Sequence, residues 1–90
     1  KAGVQAMTRN MAYESASGIS VNCVAPGAVP DKPGTPFVNH DRASGLIPFG
    51  RFGRAEDIAT AVVFFCLPET EWTTGQTLLI DGVDSSYLKE

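Results

Sequence analysis

The sequence predicts an α/β fold built on a parallel sheet, and three observations carry that prediction. The stretch Ile19 to Val29, ISVNCVAPGAV, is apolar at Ile19, Val21, Cys23, Val24 and Ala25 and runs straight into a Pro-Gly turn. Near-continuous apolarity suits a strand covered on both faces, as in a parallel sheet, better than a half-exposed antiparallel strand. A second short apolar run, Gln76 to Ile80, ends at Asp81-Gly82. A helical pattern lies between the two and another precedes the first, giving the order helix, strand, long loop with a short helix, helix, strand. Two strands joined through a helix are the second half of a βαβ arrangement with parallel strands.

The first helix is predicted over Lys1 to Ser17, since Val4, Met7 and Met11 share a face with Ala12 beside them and Gly18 supplies a left-handed stop. No Ser, Thr, Asp or Asn precedes the periodic run, and a lysine sits at the positive end of the macrodipole. The chain is therefore expected to open partway along a longer helix. In the strand that follows, Pro26 has no N–H to donate, so pairing is expected to stop there. Gly27 leaves the backbone bare enough for a ligand to approach. Ligands of open parallel sheets sit beyond the carboxyl ends of the strands, which makes Pro26 to Val29 the candidate binding turn.

Pro26 to Gly53 forms an irregular segment holding five of the six prolines, a length that in compact domains marks a lid or binding loop. Within it, Thr35 as cap, Pro36 at the first helical position and Gly45 as stop predict a short helix from Pro36 to about Ala43. Phe37, Val38, Leu46, Ile47 and Phe49 make this segment apolar enough either to cover a substrate or to anchor the loop to the body. The next helix starts with Glu56 and Asp57 and is ended by Pro68 after Leu67. From Ile58 to Leu67 only Thr60 is polar, so it has no wet face. Ile58, Ala61, Val62 and Phe65 would cover the sheet, whereas Val63 and Phe64 need a second partner, for which another subunit is the leading candidate. The tail from Val83 to Glu90 carries no periodicity.

Composition narrows the function classes. A hydrophobic fraction of 43% with 19% charged residues is that of a folded domain, and a net charge of −3 provides no basic footprint for nucleic acid. There is no apolar run long enough to span a bilayer and no signal-peptide layout. Cys23 and Cys66 fall inside apolar segments, where cysteine acts as a small buried hydrophobe, and a reduced, cytoplasmic protein is the simplest expectation. His40 with adjacent Asp41, and Asp81 with Asp84, lack the further ligands that a metal site needs, so no metal is expected.

At this point the residues resemble the short-chain dehydrogenase/reductase family, and specifically its C-terminal part. KAGVQAMTRNMAYE is similar to the helix that begins with the family's Tyr-x-x-x-Lys motif, with Lys1 in the lysine position. GISVNCVAPGAV resembles the sixth strand and the turn facing the nicotinamide, GRFGRAEDIATAVVFFCLPE the penultimate helix, and TTGQTLLIDG the last strand. Relatives of this kind include 3-oxoacyl-[acyl-carrier-protein] reductases and sugar or alcohol dehydrogenases. The resemblance implies that residues 1–90 are the C-terminal portion of a doubly wound Rossmann-type parallel sheet with flanking helices, lacking the N-terminal dinucleotide-binding half. Residues 26–53 would be its substrate lid.

The same resemblance implies a chemistry. NAD or NADP would be the cofactor and a small alcohol or carbonyl compound the substrate, with hydride passing between them. Lys1 would be catalytic, lowering the pKa of the motif's tyrosine and binding the ribose hydroxyls, because a phenol near pKa 10 is a poor base without a close cation. Tyr13 and Tyr87 cannot stand in for that tyrosine, since neither has a lysine four residues later. Pro26, Gly27 and Val29 would meet the carboxamide through the backbone. The family usually has a threonine after this turn; here Asp31 holds the matching place and Thr35 follows four residues later. Thr35 is preferred because a hydroxyl both donates and accepts. Val83 stands where the family usually has a second glycine. Assembly would be a dimer or tetramer through the 58–67 helix and the last strand. The competing reading is an inactive fragment or structural subunit that acts only by association.

Overall fold

A computed structural model of the chain describes residues 2–15, 17–30 and 47–83. Lys1, Thr35, His40 and the short helix expected from Pro36 lie outside the described residues. The element order is α1 (Ala2–Glu14), β1 (Cys23–Pro26), α2 (Ala55–Cys66), a single 3-10 turn (Pro68–Thr70) and β2 (Thr77–Ile80). β1 and β2 pair in parallel with Cys23 opposite Thr77 and Pro26 opposite Ile80, as the two apolar runs and their intervening helix required.

α1 is shorter than its pattern. It ends at Glu14, where the Ser15 N–H makes the last i to i−4 bond, onto the Met11 carbonyl, and the Ser15 hydroxyl shares the same acceptor, a side-chain bond of the kind that weakens a helix end. The chain then reverses through Gly18 at φ 90°, the left-handed conformation expected of a stop. The buried face also differs from the expected one. Thr8 is the buried residue, its hydroxyl satisfied by the Val4 carbonyl at 2.7 Å, and Ala12 lies against Gly75. Val4, Met7 and Met11 form an apolar stripe open to solvent. Their spacing marked a stripe correctly, but the side of the helix that meets this sheet is the one carrying the two small residues, which allow close approach.

β1 begins four residues later than its apolar run. Val21 and Asn22 are held largely by side chains: the Val21 N–H donates to Thr74 Oγ1 at 3.0 Å, Asn22 Nδ2 donates to the Thr73 carbonyl at 2.9 Å, and Asn22 Oδ1 accepts the Gln76 N–H at 3.1 Å, with one backbone bond from the Gly75 N–H to the Val21 carbonyl at 2.7 Å. Ladder bonding starts with the Cys23 N–H on the Gln76 carbonyl at 2.8 Å. At the other end, Pro26 does not stop the pairing. The Gly27 N–H donates to the Ile80 carbonyl at 3.0 Å, so it is the odd-numbered N–H groups of β1 that face β2. Strand groups alternate sides, and the nitrogen of Pro26 therefore falls on the opposite edge, where its missing hydrogen costs this ladder nothing.

α2 follows its predicted span closely and packs on both strands. Ala61 is buried and Ile58 and Phe65 are half-buried, while Val62, Val63 and Phe64 are exposed, the last with its ring edge-on to Phe65. Ser20, Asn22 and Val24 of the first strand region line a cavity with Val62, Phe65 and Cys66, which puts the even-numbered side chains on the α2 face. The sheet is covered less than its apolarity predicted. Leu78 and Leu79 of β2 remain exposed, as does Cys66 at the end of α2, because two strands and two helices provide too little surface to close both faces.

Candidate functional site

The carboxyl ends of β1 and β2 lie side by side, and the loop returning from residue 47 crosses beside them. Between them is an open cavity of about 390 Å³ lined by Ala28, Phe49, Arg51, Leu79, Ile80 and Asp81 among others. That is the position at which open parallel sheets bind ligands, and the volume falls within the range of small-molecule sites, about 300–1,000 Å³.

Three turns build this end of the molecule. The first is Pro26 to Val29. Gly27 is a glycine here for a reason other than the expected one: a Cβ at this position would stand 2.7 Å from Asp81 Cβ and 2.8 Å from Asp81 Cα. The space left by its missing side chain is filled by the last strand, so it is not open to a ligand on that side. Its N–H is also spent on Ile80. The Ala28 carbonyl accepts the Gly53 N–H at 3.0 Å. Among the described residues no bond engages the backbone of half-buried Val29. Of Pro26, Gly27 and Val29, only Gly27 has its N–H engaged by the last strand among the described residues, and the lining of the cavity takes Ala28 from this turn.

The second turn is Asp81 to Val83. Asp81 Oδ1 accepts the Val83 N–H at 3.0 Å, and the backbone is left-handed at both Gly82 (φ 60°) and Val83 (φ 59°). The family resemblance places Val83 where a glycine is usual, and the backbone keeps the glycine conformation with a β-branched residue in it. Gly82 is required by packing too, since a Cβ there would meet Ile47 Cγ2 at 3.0 Å and Phe49 Cβ at 3.1 Å.

The third element is the returning limb, residues 47–54. Ile47 and Phe52 are buried and the Phe49 N–H donates to the Gly82 carbonyl at 3.1 Å, so this end of the loop is an anchor; Phe49 itself stays exposed. Arg51 forms a two-pronged pair with Asp57, Nη1 to Oδ2 at 2.9 Å and Nη2 to Oδ1 at 3.3 Å, and Nη1 also donates to the Phe52 carbonyl at 2.8 Å. Its guanidinium lies 5.3 Å from the Phe49 ring centroid. Asp57 Oδ2 further accepts the Arg54 N–H at 2.8 Å, tying the start of α2. The Arg51 hydrogen bond and then that backbone donor hold the Asp57 carboxyl down at about 2, and Asp57 in turn raises the Arg51 pKa. Sequence reasoning read Asp57 only as a helix-start charge. The partner was hidden because Arg51 lies on a loop, where no helical or strand spacing connects the two.

These features define a class first: the carboxyl-terminal part of a Rossmann-type α/β protein, with its ligand end formed by the PG turn and the end of the last strand. A family profile described as enoyl-(acyl carrier protein) reductase matches residues 1–82. The 3-oxoacyl-[acyl-carrier-protein] reductase FabG of Vibrio harveyi is 46% identical over 86 residues, covering 91% of this chain and 35% of the relative. The (2S)-[(R)-hydroxy(phenyl)methyl]succinyl-CoA dehydrogenase subunit BbsC of Thauera aromatica is 40% identical over 88 residues, 97% of this chain and 35% of that one. Among solved structures, acetoin dehydrogenase YohF of Salmonella typhimurium superposes with a TM-score of 0.77 at 31% identity, over 94% of this chain and 35% of its own. The chain belongs to the short-chain dehydrogenase/reductase family, and it spans about a third of the length of these relatives.

No group of three or more His, Cys, Asp or Glu side chains placed to hold a metal is present among the described residues, and no described helix is long and apolar enough to cross a membrane.

Proposed function

We propose that this chain is the nicotinamide-facing, C-terminal part of an NAD- or NADP-dependent oxidoreductase acting on a small alcohol or carbonyl compound. The observation that supports the reading is the cavity at the carboxyl ends of β1 and β2, which Ala28 of the turn lines, next in the chain to a Val29 backbone that no bond engages among the described residues. A primary carboxamide has one donor and one acceptor face, and a single residue's N–H and carbonyl match both. When bound, the nicotinamide supplies or accepts the hydride. Pro26 and Gly27 fix the height of the turn, Val29 orients the carboxamide, and Thr35 adds a hydroxyl from the loop. Lys1 holds the ribose hydroxyls and, as a cation four residues after the motif's tyrosine, favours the phenolate. Relatives named as 3-oxoacyl-[acyl-carrier-protein] reductases and a structural neighbour named as an acetoin dehydrogenase support a ketone or secondary-alcohol substrate.

Assembly as a dimer or tetramer belongs to the same proposal. Val63 and Phe64 of α2, Leu78 and Leu79 of β2, and the Val4, Met7 and Met11 stripe are all exposed, an apolar surface of the kind that proteins bury between subunits or against the remainder of the chain. A cytoplasmic setting suits two free thiols. The same surfaces favour the second reading, an inactive structural subunit. Calorimetric titration with NADH and NADPH separates the two. The intact protein carrying this chain is expected to saturate with one nucleotide in the range of ~1 μM to 1 mM typical of enzyme substrates, and the isolated chain to bind far more weakly. Absence of saturation by the intact protein leaves only the structural subunit.

A further inference from the structure

Resting on that reading, we propose that Asp81 is a positioning residue for the nicotinamide turn: its Cα and Cβ are the wall against which Gly27 sits, so the end of the last strand sets the height of the Pro26–Val29 turn. The distances from the Cβ position of Gly27, 2.7 Å to Asp81 Cβ and 2.8 Å to Asp81 Cα, leave no slack on that side. The Gly27 N–H bond to Ile80 at 3.0 Å holds the two strands at this spacing one residue before the wall. Asp81 is itself fixed, because its carboxylate accepts the Val83 N–H and the following Gly82 is wedged against Ile47 and Phe49. The limb that carries Phe49 returns to the first turn through the Gly53 N–H on the Ala28 carbonyl. Turn, strand end and loop limb thus form a closed ring of contacts, and Asp81 is the member that touches the turn from below. Moving that wall shifts the Val29 backbone relative to the carboxamide, a role exerted through the turn rather than through the Asp81 carboxylate.

The test compares D81G, D81A and D81N in the intact enzyme, reading the KM for NADH or NADPH, the substrate KM, kcat and the melting temperature. Glycine removes the Cβ wall. Alanine keeps the wall and loses the carboxylate, and asparagine keeps both the wall and an acceptor for Val83. D81G is expected to raise the nucleotide KM about five-fold or more, within the coupling range of contacting residues, at temperatures well below its melting point and with the substrate KM unmoved. D81A and D81N are expected to recover most of that loss. A nucleotide KM unchanged in D81G, or raised as far in D81A as in D81G, overturns the proposal, because the first removes the positioning role and the second assigns it to the carboxylate. If D81G fails to fold, D81A and D81N decide: a nucleotide KM near wild type in both supports the wall, and a clear rise in either overturns it. Failure of the oxidoreductase reading is seen separately, as a wild-type enzyme that saturates with neither nucleotide.

Discussion

Val83 stands in the left-handed region at φ 59° without being a glycine, and replacing it makes a test whose sign is fixed by backbone geometry. A left-handed conformation costs a residue with a Cβ about 1–2 kcal/mol, and strained backbone positions in general about 1–3 kcal/mol. V83G removes that cost. Against it stand the greater freedom of glycine in the unfolded chain, about 0.4–1 kcal/mol, and the loss of what the side chain buries. Val83 is 59% exposed, so the second loss is limited to about 0.6 kcal/mol, two-fifths of a fully buried valine. The net expectation is a gain of about 0.5 kcal/mol, too small to decide the matter alone. V83A sharpens it, because alanine keeps the Cβ and therefore the strain. Where φ is negative, alanine is more stable than glycine by about 0.4–1 kcal/mol; here the order is expected to reverse, with V83G above V83A by about 1 kcal/mol. In a protein of 150–250 residues that difference is about 2–4 °C in melting temperature, within reach of calorimetry or urea titration. V83A equal to or more stable than V83G would refute the left-handed assignment and the reading of this turn as a glycine turn filled by valine.

The other expectations concern the contacts that hold the site. N22A removes two bonds that join the start of β1 to the segment before β2, and is expected to cost about 1–3 kcal/mol in urea unfolding; a loss under ~0.5 kcal/mol shows that the bridge carries nothing. The Asp57 carboxyl titrates at about 2 in the folded state against an ordinary 3.8, so the stability it lends is complete above the ordinary value and is lost as pH falls from there through about 2. R51A should flatten that part of the pH–stability profile, and an unchanged acid limb in R51A contradicts the pairing. V63K with F64K should lower the assembly state seen by sedimentation if α2 is a subunit contact; full retention of the oligomer removes α2 from the interface.

How much of this was legible in the sequence depended on whether the signal was local. The parallel pair was readable because apolarity at Val21, Cys23, Val24 and Ala25 and again at Leu78 to Ile80 is a property of each strand by itself. The limits of α2 were readable because Pro68 and the first-turn acids act within a few residues. The face of α1 was not, since Val4, Met7 and Met11 and the pair Thr8 and Ala12 both sit at helical spacings, and only the neighbouring sheet decides between them. The bare backbone of Gly27 reads locally as room for a ligand. At Gly27 the approaching group is Asp81, more than fifty residues away along the chain, and no local pattern carries that information. The Arg51–Asp57 pair was invisible for the same reason in a smaller form, a loop residue meeting a helix residue.

The bonding of β1 explains why one strand pair suffices to shape the ligand end while leaving so much apolar surface open. Its odd-numbered N–H groups are spent on β2, and the turn that follows inherits its position from Ile80 and Asp81, so the relative height of the two strand ends is fixed by residues within this chain. The opposite edge, with Val24 and the hydrogenless Pro26, makes no ladder among the described residues. An unprotected edge beside apolar faces is an aggregation hazard that natural sheets cover, and Pro26 blunts its last position without disturbing the pairing on the functional side. The asymmetry is physically consistent: the edge that sets the Pro26–Val29 turn is bonded internally, and the edge left open is the one on which further strands of a larger sheet would add. The exposed stripe of Val4, Met7 and Met11 precedes that open edge in the chain, and Val63 and Phe64 lie on the helix that packs on both strands. Geometry at the candidate site therefore depends on contacts between residues 20–30 and 47–83, whereas stability depends on whatever covers those apolar surfaces.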